Sequence, residues 1–268
     1  RWEVVGGMIE QPDCNLPSAE SFLRQSFYAK DFFQKAFGEA GDTKVAYVPD
    51  SFGHAAGLPQ ILNLGGFDSY VFMRPQPVDG ITLPLLFNWK SDDGSSVLGI
   101  RIPIQYSQSY AATADDIENV VRSSATDGFA PGFNNGAMWF GVGNHGGGPT
   151  REHIERIIQL QADGSLPEIR FSTVREFVAA VRAEAAYDKL PVINKELQFV
   201  FRGCYAATAD TKRQNRLSEK KLFAAESLVS MAGMETDLHE AWWQLGCNQF
   251  HDILAGTCVH SAQEPIRD

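Results

Sequence analysis

No stretch of the chain approaches the roughly 18 consecutive apolar residues of a membrane-crossing helix, and no basic segment followed by an apolar core marks a secretory signal. The sequence reads as soluble, with no membrane partner. Positive charge is in deficit, with 23 Lys and Arg against 33 Asp and Glu and a formal net charge of -10. Such a surface repels phosphate backbones, which excludes a nucleic-acid partner. Cysteine is sparse: Cys14, Cys204, Cys247 and Cys258 show neither C-x-x-C spacing nor the density of a disulfide-stapled scaffold, so buried or idle thiols are expected. There is also no N-x-[ST] acceptor site. A reducing, cytoplasmic setting is the expectation. The absence of a G-x-S-x-G elbow removes a serine hydrolase of that type.

What is present is 44% hydrophobic residues over 268 positions, enough to bury one large or two modest domains. Short β-branched or aromatic runs at 2–9, 44–49, 69–74, 85–90, 96–102, 137–143 and 168–171 alternate with segments of helical period up to about Tyr187. That is the pattern of a repeating βα domain. Asp92-Asp93-Gly94-Ser95 is turn chemistry, so 85–102 reads as a hairpin. Thr150 is placed to cap a helix presenting Ile154, Ile157 and Ile158, and Thr173 with Glu176 has capping-box spacing ahead of an apolar face of Val174, Phe177, Val178 and Val181. After Leu190-Pro191 the pattern turns helical, with a stripe of Leu222, Ala225, Val229 and Ala232 and a further helix from Glu235 to about Phe250. Arg1 is not a Met and Trp2 to Gly7 reads as a strand already under way. A truncation upstream is the expectation.

Polar residues gather after the strand runs: Glu10, Asp13 and Asn15, then Asp50 and His54, then Arg74, then Asn144 and His145. The carboxyl ends of parallel strands share one face, where ligands bind, so these residues are expected to converge. Each has a plainer role as well. Asp50 with His54 has the residue types to bind a cation, yet a strand-end Asp more often caps the next helix. His251-Asp252 is as compatible with a surface pair. Gly143 to Thr150 lacks the Lys-Ser/Thr pair of a phosphate loop and reads as a tight turn. His153 and His239 lie in helical stretches and read as solvated.

In order and wording the segments resemble the α-mannosidases of glycoside hydrolase family 38. The matching pieces are Gly6-Gly7-Met8 through Glu10-Gln11-Pro12-Asp13-Cys14-Asn15-Leu16-Pro17-Ser18, then Pro49-Asp50-Ser51-Phe52-Gly53-His54 with Leu58-Pro59-Gln60-Ile61-Leu62, Arg74, Trp89 with Asp93-Gly94-Ser95, and Gly143-Asn144-His145-Gly146-Gly147-Gly148-Pro149-Thr150. Lys212-Arg213, Asn215-Arg216, Glu219 and Asn248-Gln249-Phe250-His251-Asp252-Ile253-Leu254-Ala255-Gly256-Thr257 complete the series. Several independent motifs in the right order span nearly the whole chain.

The resemblance implies an incomplete (β/α) barrel over 1–190, its first strand missing, followed by an all-α helical bundle over 191–268. It implies a zinc ion between the two, held by a His-x-Asp pair on the missing strand, by Asp50 and by His251. Asp50 would also be the nucleophile, Asp252 would contact sugar hydroxyls, Arg74 would border the site, and His54 would be a neighbour, not a ligand. No His-x-Asp pair occurs in this sequence. The acid/base position falls on His145, with Asn144 beside it as a substrate contact. The implied activity is zinc-assisted, retaining hydrolysis of terminal α-linked mannose from an oligosaccharide or glycoside. A non-catalytic carbohydrate-binding fragment and a metal-dependent carbohydrate deacetylase are the competing functions, and a homo-oligomer is left open.

Overall fold

The computed structural model describes residues 2–103, 106, 114–142 and 148–263. Four of the expected runs form strands: β1 (Val45–Val48), β2 (Ser69–Phe72), β3 (Leu86–Lys90) and β4 (Ser96–Arg101). With a short β5 (Val192–Ile193) they make a mixed sheet of order β1-β2-β4-β3-β5. β1, β2 and β4 run parallel, placing Tyr70 between Ala46 and Gly99. β3 returns antiparallel to β4, and the turn between them closes on the Ser91 N–H to Ser95 carbonyl bond of 2.9 Å. The hairpin read from the sequence is therefore formed.

Side chains alternate across the sheet with the period of two that a pleat requires. Ala46, Val48, Tyr70, Phe72, Phe87, Trp89 and Val97 face helices α1 (Ala19–Phe37) and α2 (Leu58–Leu64) through Phe22, Leu58 and Leu62. Val45, Val71, Leu86, Leu98 and Ile100 face α5 (Val174–Arg182) through Val178 and Val181. With both faces covered, β2 is buried throughout, which is why it reads as an unbroken apolar run. Gly99 is needed where β4 crosses Phe87, because a Cβ there would lie 2.7 Å from the ring.

Both threonine caps form: Thr150 Oγ1 accepts from the His153 N–H at the start of α4 (Arg151–Ala162), and Thr173 accepts from the Glu176 N–H at the start of α5. The buried stripe of α4 is His153, Ile157 and Leu160, whereas Ile158 is exposed. His153 is thus a core residue, contrary to the solvated position expected. Leu160 and Ile157 pack on Ile117 and Val121 of α3 (Ala114–Asp127).

Three expected strands do not form. Residues 2–8 lie beside β1, joined by the Gly6 N–H to Val45 carbonyl bond of 3.2 Å, but Gly6 and Gly7 have φ of 95° and 60° and break the extended course. Among the described residues, 137–142 turn at Gly141 (φ 138°) without a ladder, and 168–171 also lack one.

The second half adds α6 (Ala209–Met231), α7 (His239–Asn248) and the short α8 (His251–Ala255). α7 packs on α1 and on α6, and α8 packs on α6. Arg24 of α1 donates from Nη1 and Nη2 to the two oxygens of Glu226 at 2.7 and 2.8 Å, lies 4.4 Å over the Trp242 ring, and Trp242 Nε1 donates to Glu226 as well. Among the described residues, no helix is long and apolar enough to cross a membrane.

Candidate active site

Three segments meet at the carboxyl end of β1. Asp50 lies two residues past β1, Arg74 two residues past β2, and His251 opens α8. Arg74 donates from both Nε and Nη2 to Asp50 Oδ1, each at 3.1 Å. Tyr106 donates its hydroxyl to Oδ2 at 3.2 Å, and His251 Nε2 stands 3.7 Å from the same oxygen, an ion-pair distance rather than a hydrogen bond. Burial pushes the Asp50 carboxyl up, but His251 and the Arg74 guanidinium outweigh it and hold the group below the usual carboxylate range. His251 responds in the opposite sense: burial lowers its pKa, and Asp50 together with the Gln11 carbonyl raises it above the ordinary histidine value.

His251 is aimed by a strip of backbone from the other end of the chain. Asp13 N–H donates to the Gln249 carbonyl at 2.9 Å, His251 N–H to the Gln11 carbonyl at 3.1 Å, and Pro12 bridges Phe250. His251 Nδ1 also lies 2.9 Å from the Gln11 carbonyl oxygen. A carbonyl only accepts, so Nδ1 carries a proton and Nε2 is the nitrogen presented to Asp50. Ser51 Oγ donates to the Pro12 carbonyl at 2.8 Å, tying the same strip to the Asp50 loop.

Asp252 sits one position past His251, half-buried, its Oδ1 accepting from Thr257 Oγ1 at 2.7 Å. His54 is fully buried with Nε2 2.9 Å from the Arg74 carbonyl oxygen and Nδ1 2.7 Å from Tyr70 Oη. Asp13 is buried, its Oδ1 accepting from the Asn15 and Leu16 N–H groups at 2.9 and 2.8 Å, and His251 is among the charges that act on it. Asn15 donates to Gln198 Oε1 at 2.7 Å. Asn144 and His145 lie outside the described residues.

Two further residues at the site had no role in the sequence. Tyr106 follows β4, and the gathering of ligands past parallel strand ends is the signal that would have found it. Phe201 is exposed, lies 5.3 Å from the Arg74 guanidinium and packs edge-on against Phe52 at 5.2 Å. Its φ of 50° is left-handed, a strained state for a residue with a Cβ, and no sequence pattern marks it.

Among the described residues no three His, Cys, Asp or Glu side chains are grouped as a metal site. Asp50 Oδ2 and His251 Nε2 face one another with donor atoms suited to zinc. The Nδ1–H bond of His251 to a carbonyl is the outer contact that orients metal-bound imidazoles. The donor types and the orienting bond of this pair fit a zinc ion.

The site is thus an arginine-clamped carboxylate at the strand ends of a mixed sheet, met by a histidine from a helical segment. A family model described as the glycosyl hydrolases family 38 N-terminal domain matches residues 1–196, and one described as the alpha mannosidase middle domain matches 200–267. The chain belongs to glycosyl hydrolase family 38. It is 35% identical to alpha-mannosidase G of Dictyostelium discoideum, over 98% of this chain and 24% of that protein. It is 31% identical to the alpha-mannosidase of Saccharomyces cerevisiae, over 96% and 25% respectively, and 30% identical to human alpha-mannosidase 2C1, over 97% and 25%. The chain therefore spans about a quarter of the length of these curated relatives. An alpha-mannosidase structure from Enterococcus faecalis V583 superimposes with a TM-score of 0.77 at 20% identity, covering 98% of this chain and 31% of that one.

Proposed function

We propose that this chain carries the nucleophile of a retaining α-mannosidase and that the nucleophile is Asp50. The supporting observation is the fourfold attention paid to one carboxylate: two N–H groups of Arg74 on Oδ1, and Tyr106 and His251 on Oδ2. A carboxylate held ionised at neutral pH is the state a nucleophile needs. In the first step an Asp50 oxygen bonds to the anomeric carbon, the glycosidic C–O bond breaks, and the departing oxygen takes a proton from the general acid, which we assign to His145. In the second, water bonds to the anomeric carbon and gives its proton back to that group, and the Asp50 ester bond breaks. Arg74 and Tyr106 keep the carboxylate aimed through both steps. Asp252 and Asn144 are assigned to sugar hydroxyls.

Asp50 and His251 would hold zinc together with donors from elsewhere. A bound zinc ion would orient sugar hydroxyls and offset charge near the anomeric centre. We read the sheet as part of an incomplete (β/α) barrel and α6 to α8 as the helical domain. We place the division near 200 rather than at 190, because β5 (Val192–Ile193) still pairs with β3 and the family matches divide at 196–200. Those matches also weigh against a carbohydrate deacetylase. The grouping of just two facing donors among the described residues favours, as a second function for this chain by itself, carbohydrate binding without turnover.

Hydrolysis of an aryl α-mannoside, with the anomeric configuration of the first-formed product followed by NMR, tests the proposal. Release of α-mannose first supports it. Release of β-mannose, or of none by the full-length protein with zinc, overturns it.

A further inference from the structure

The carboxylate of Glu219, at 5% exposure, is buried where three helices meet. Its Oε1 accepts from the Ser18 N–H at 2.7 Å, from Ser21 Oγ at 2.8 Å and from Gln249 Nε2 at 3.3 Å, and its Oε2 accepts from Arg216 at 2.6 Å. Gln249 has no exposed surface and is held on every side: Nε2 also donates to Asn215 Oδ1 at 3.0 Å, and Oε1 receives Gln25 Nε2 at 3.4 Å. The Gln249 carbonyl in turn accepts from Asp13 N–H, in the backbone strip that grips His251 two residues later. One buried charge is therefore shared by the start of α1, by α6 and by the residue that leads into the site.

A carboxylate used only to fasten α6 to α1 has no need to reach Gln249, because Arg24 and Glu226 already make that fastening with two bonds. The Gln249 side chain can satisfy its polar atoms in one orientation only, and that orientation fixes the backbone from which His251 departs. We propose that Glu219 is a positioning residue for the Asp50–His251 pair, acting through Gln249. This rests on the proposal above that His251 works opposite Asp50.

The test compares Glu219→Ala, Gln249→Ala and their double variant with Glu219→Gln and with Glu226→Ala, all in the full-length protein. Misplacing a catalytic group by about an ångström costs about ten- to a hundredfold, so each alanine variant should lower kcat on an aryl α-mannoside by that much. The double variant should be no worse than the worse single one, because both act through one link. Glu219→Gln keeps an acceptor for Ser18 and Gln249 and should recover most of the loss. Glu226→Ala breaks the other α1–α6 link and should stay within about twofold of the parent. Equal losses in Glu226→Ala and Glu219→Ala, or losses that multiply in the double variant, overturn the proposal. If Glu219→Ala does not fold, Gln249→Ala against Glu226→Ala decides by the same comparison. If the parent shows no mannosidase activity, the functional proposal fails instead. Crystal structures then decide this one, since the Asp50–His251 separation of 3.7 Å must widen in Gln249→Ala. An unchanged separation overturns it.

Discussion

His54 holds Arg74 from behind: its Nε2 lies 2.9 Å from the Arg74 carbonyl oxygen, while the guanidinium of the same residue reaches forward to Asp50. The carbonyl only accepts, so Nε2 bears the proton, and Nδ1 receives the Tyr70 hydroxyl at 2.7 Å. A neutral imidazole satisfies both partners. A protonated one would set an Nδ1–H against the Tyr70 hydroxyl, which would have to turn its own proton away.

This arrangement makes the fold acid-sensitive at one residue. Burial pushes His54 down to about 4 in the folded chain, against about 6.5 when unfolded. Between those values the unfolded state binds more protons, so stability is full above the upper one and falls as pH drops through the window. The loss should be about 2 kcal/mol at pH 5 and about 3 below pH 4. Urea titrations at pH 7 and pH 5 should show that difference between the parent and His54→Gln. The same pH dependence in both proteins would remove His54 as its source.

Asp50→Asn should lower kcat on an aryl α-mannoside by more than about a hundredfold, because it exchanges the attacking oxygen for an amide. Folding should survive, since the amide keeps an acceptor for Arg74. A smaller loss in a folded variant would place the nucleophile elsewhere.

Tyr106→Phe removes one hydrogen bond to a carboxylate while keeping the ring. Bonds to charged groups contribute about 1.5–3 kcal/mol, so the expected fall in kcat/KM is about ten- to a hundredfold. Steady-state kinetics with unchanged thermal stability would confirm a role at Asp50. An unchanged kcat/KM would show the contact to be incidental.

Gly53→Ala addresses the glycine inside the Asp50 to His54 motif. A Cβ there would fall 1.6 Å from Gln198 Oε1 and 3.0 Å from the Gln198 Cα. The amide can swing away, but the backbone cannot, and Asn15 and Tyr205 both bond to that Oε1. A destabilisation of about 1–3 kcal/mol is expected, measured as a lower urea midpoint. Stability equal to the parent would mean that the 198 segment yields freely.

Zinc added to this chain alone should raise its melting temperature slightly, and the double variant Asp50→Asn, His251→Ala should abolish the effect. Binding that favours the folded state contributes about 2.7 kcal/mol at a hundredfold excess over Kd, a level two donors do not reach at micromolar metal. Calorimetry in both proteins checks this. A large rise that survives the double variant would reveal a metal site built from other residues.

The residues legible in the sequence are those whose spacing repeats a local rule. β1 to β4, both threonine caps and the hairpin turn at Asp92 to Ser95 follow from periodicity and turn chemistry. Asp50, Arg74 and His251 came from motif wording, and the structure brings these three together. What was not legible depends on contacts far apart in the chain. The 137–142 run has strand composition and no strand partner, and His153 looked solvated because nothing nearby shows what packs over α4. Phe201 is placed by a left-handed backbone that no residue type announces.

The paired backbone of Gln11 to Asp13 with Gln249 to His251 bears on how such proteins can be recombined. Sequence similarity divides the chain into two blocks near residue 200, and that junction invites exchange of one block between relatives. Yet the imidazole that faces Asp50 takes its direction from a carbonyl belonging to the first block. A hybrid joined at 200 inherits its histidine from one parent and the aim of that histidine from the other. Its success turns on whether the two loops were donated together.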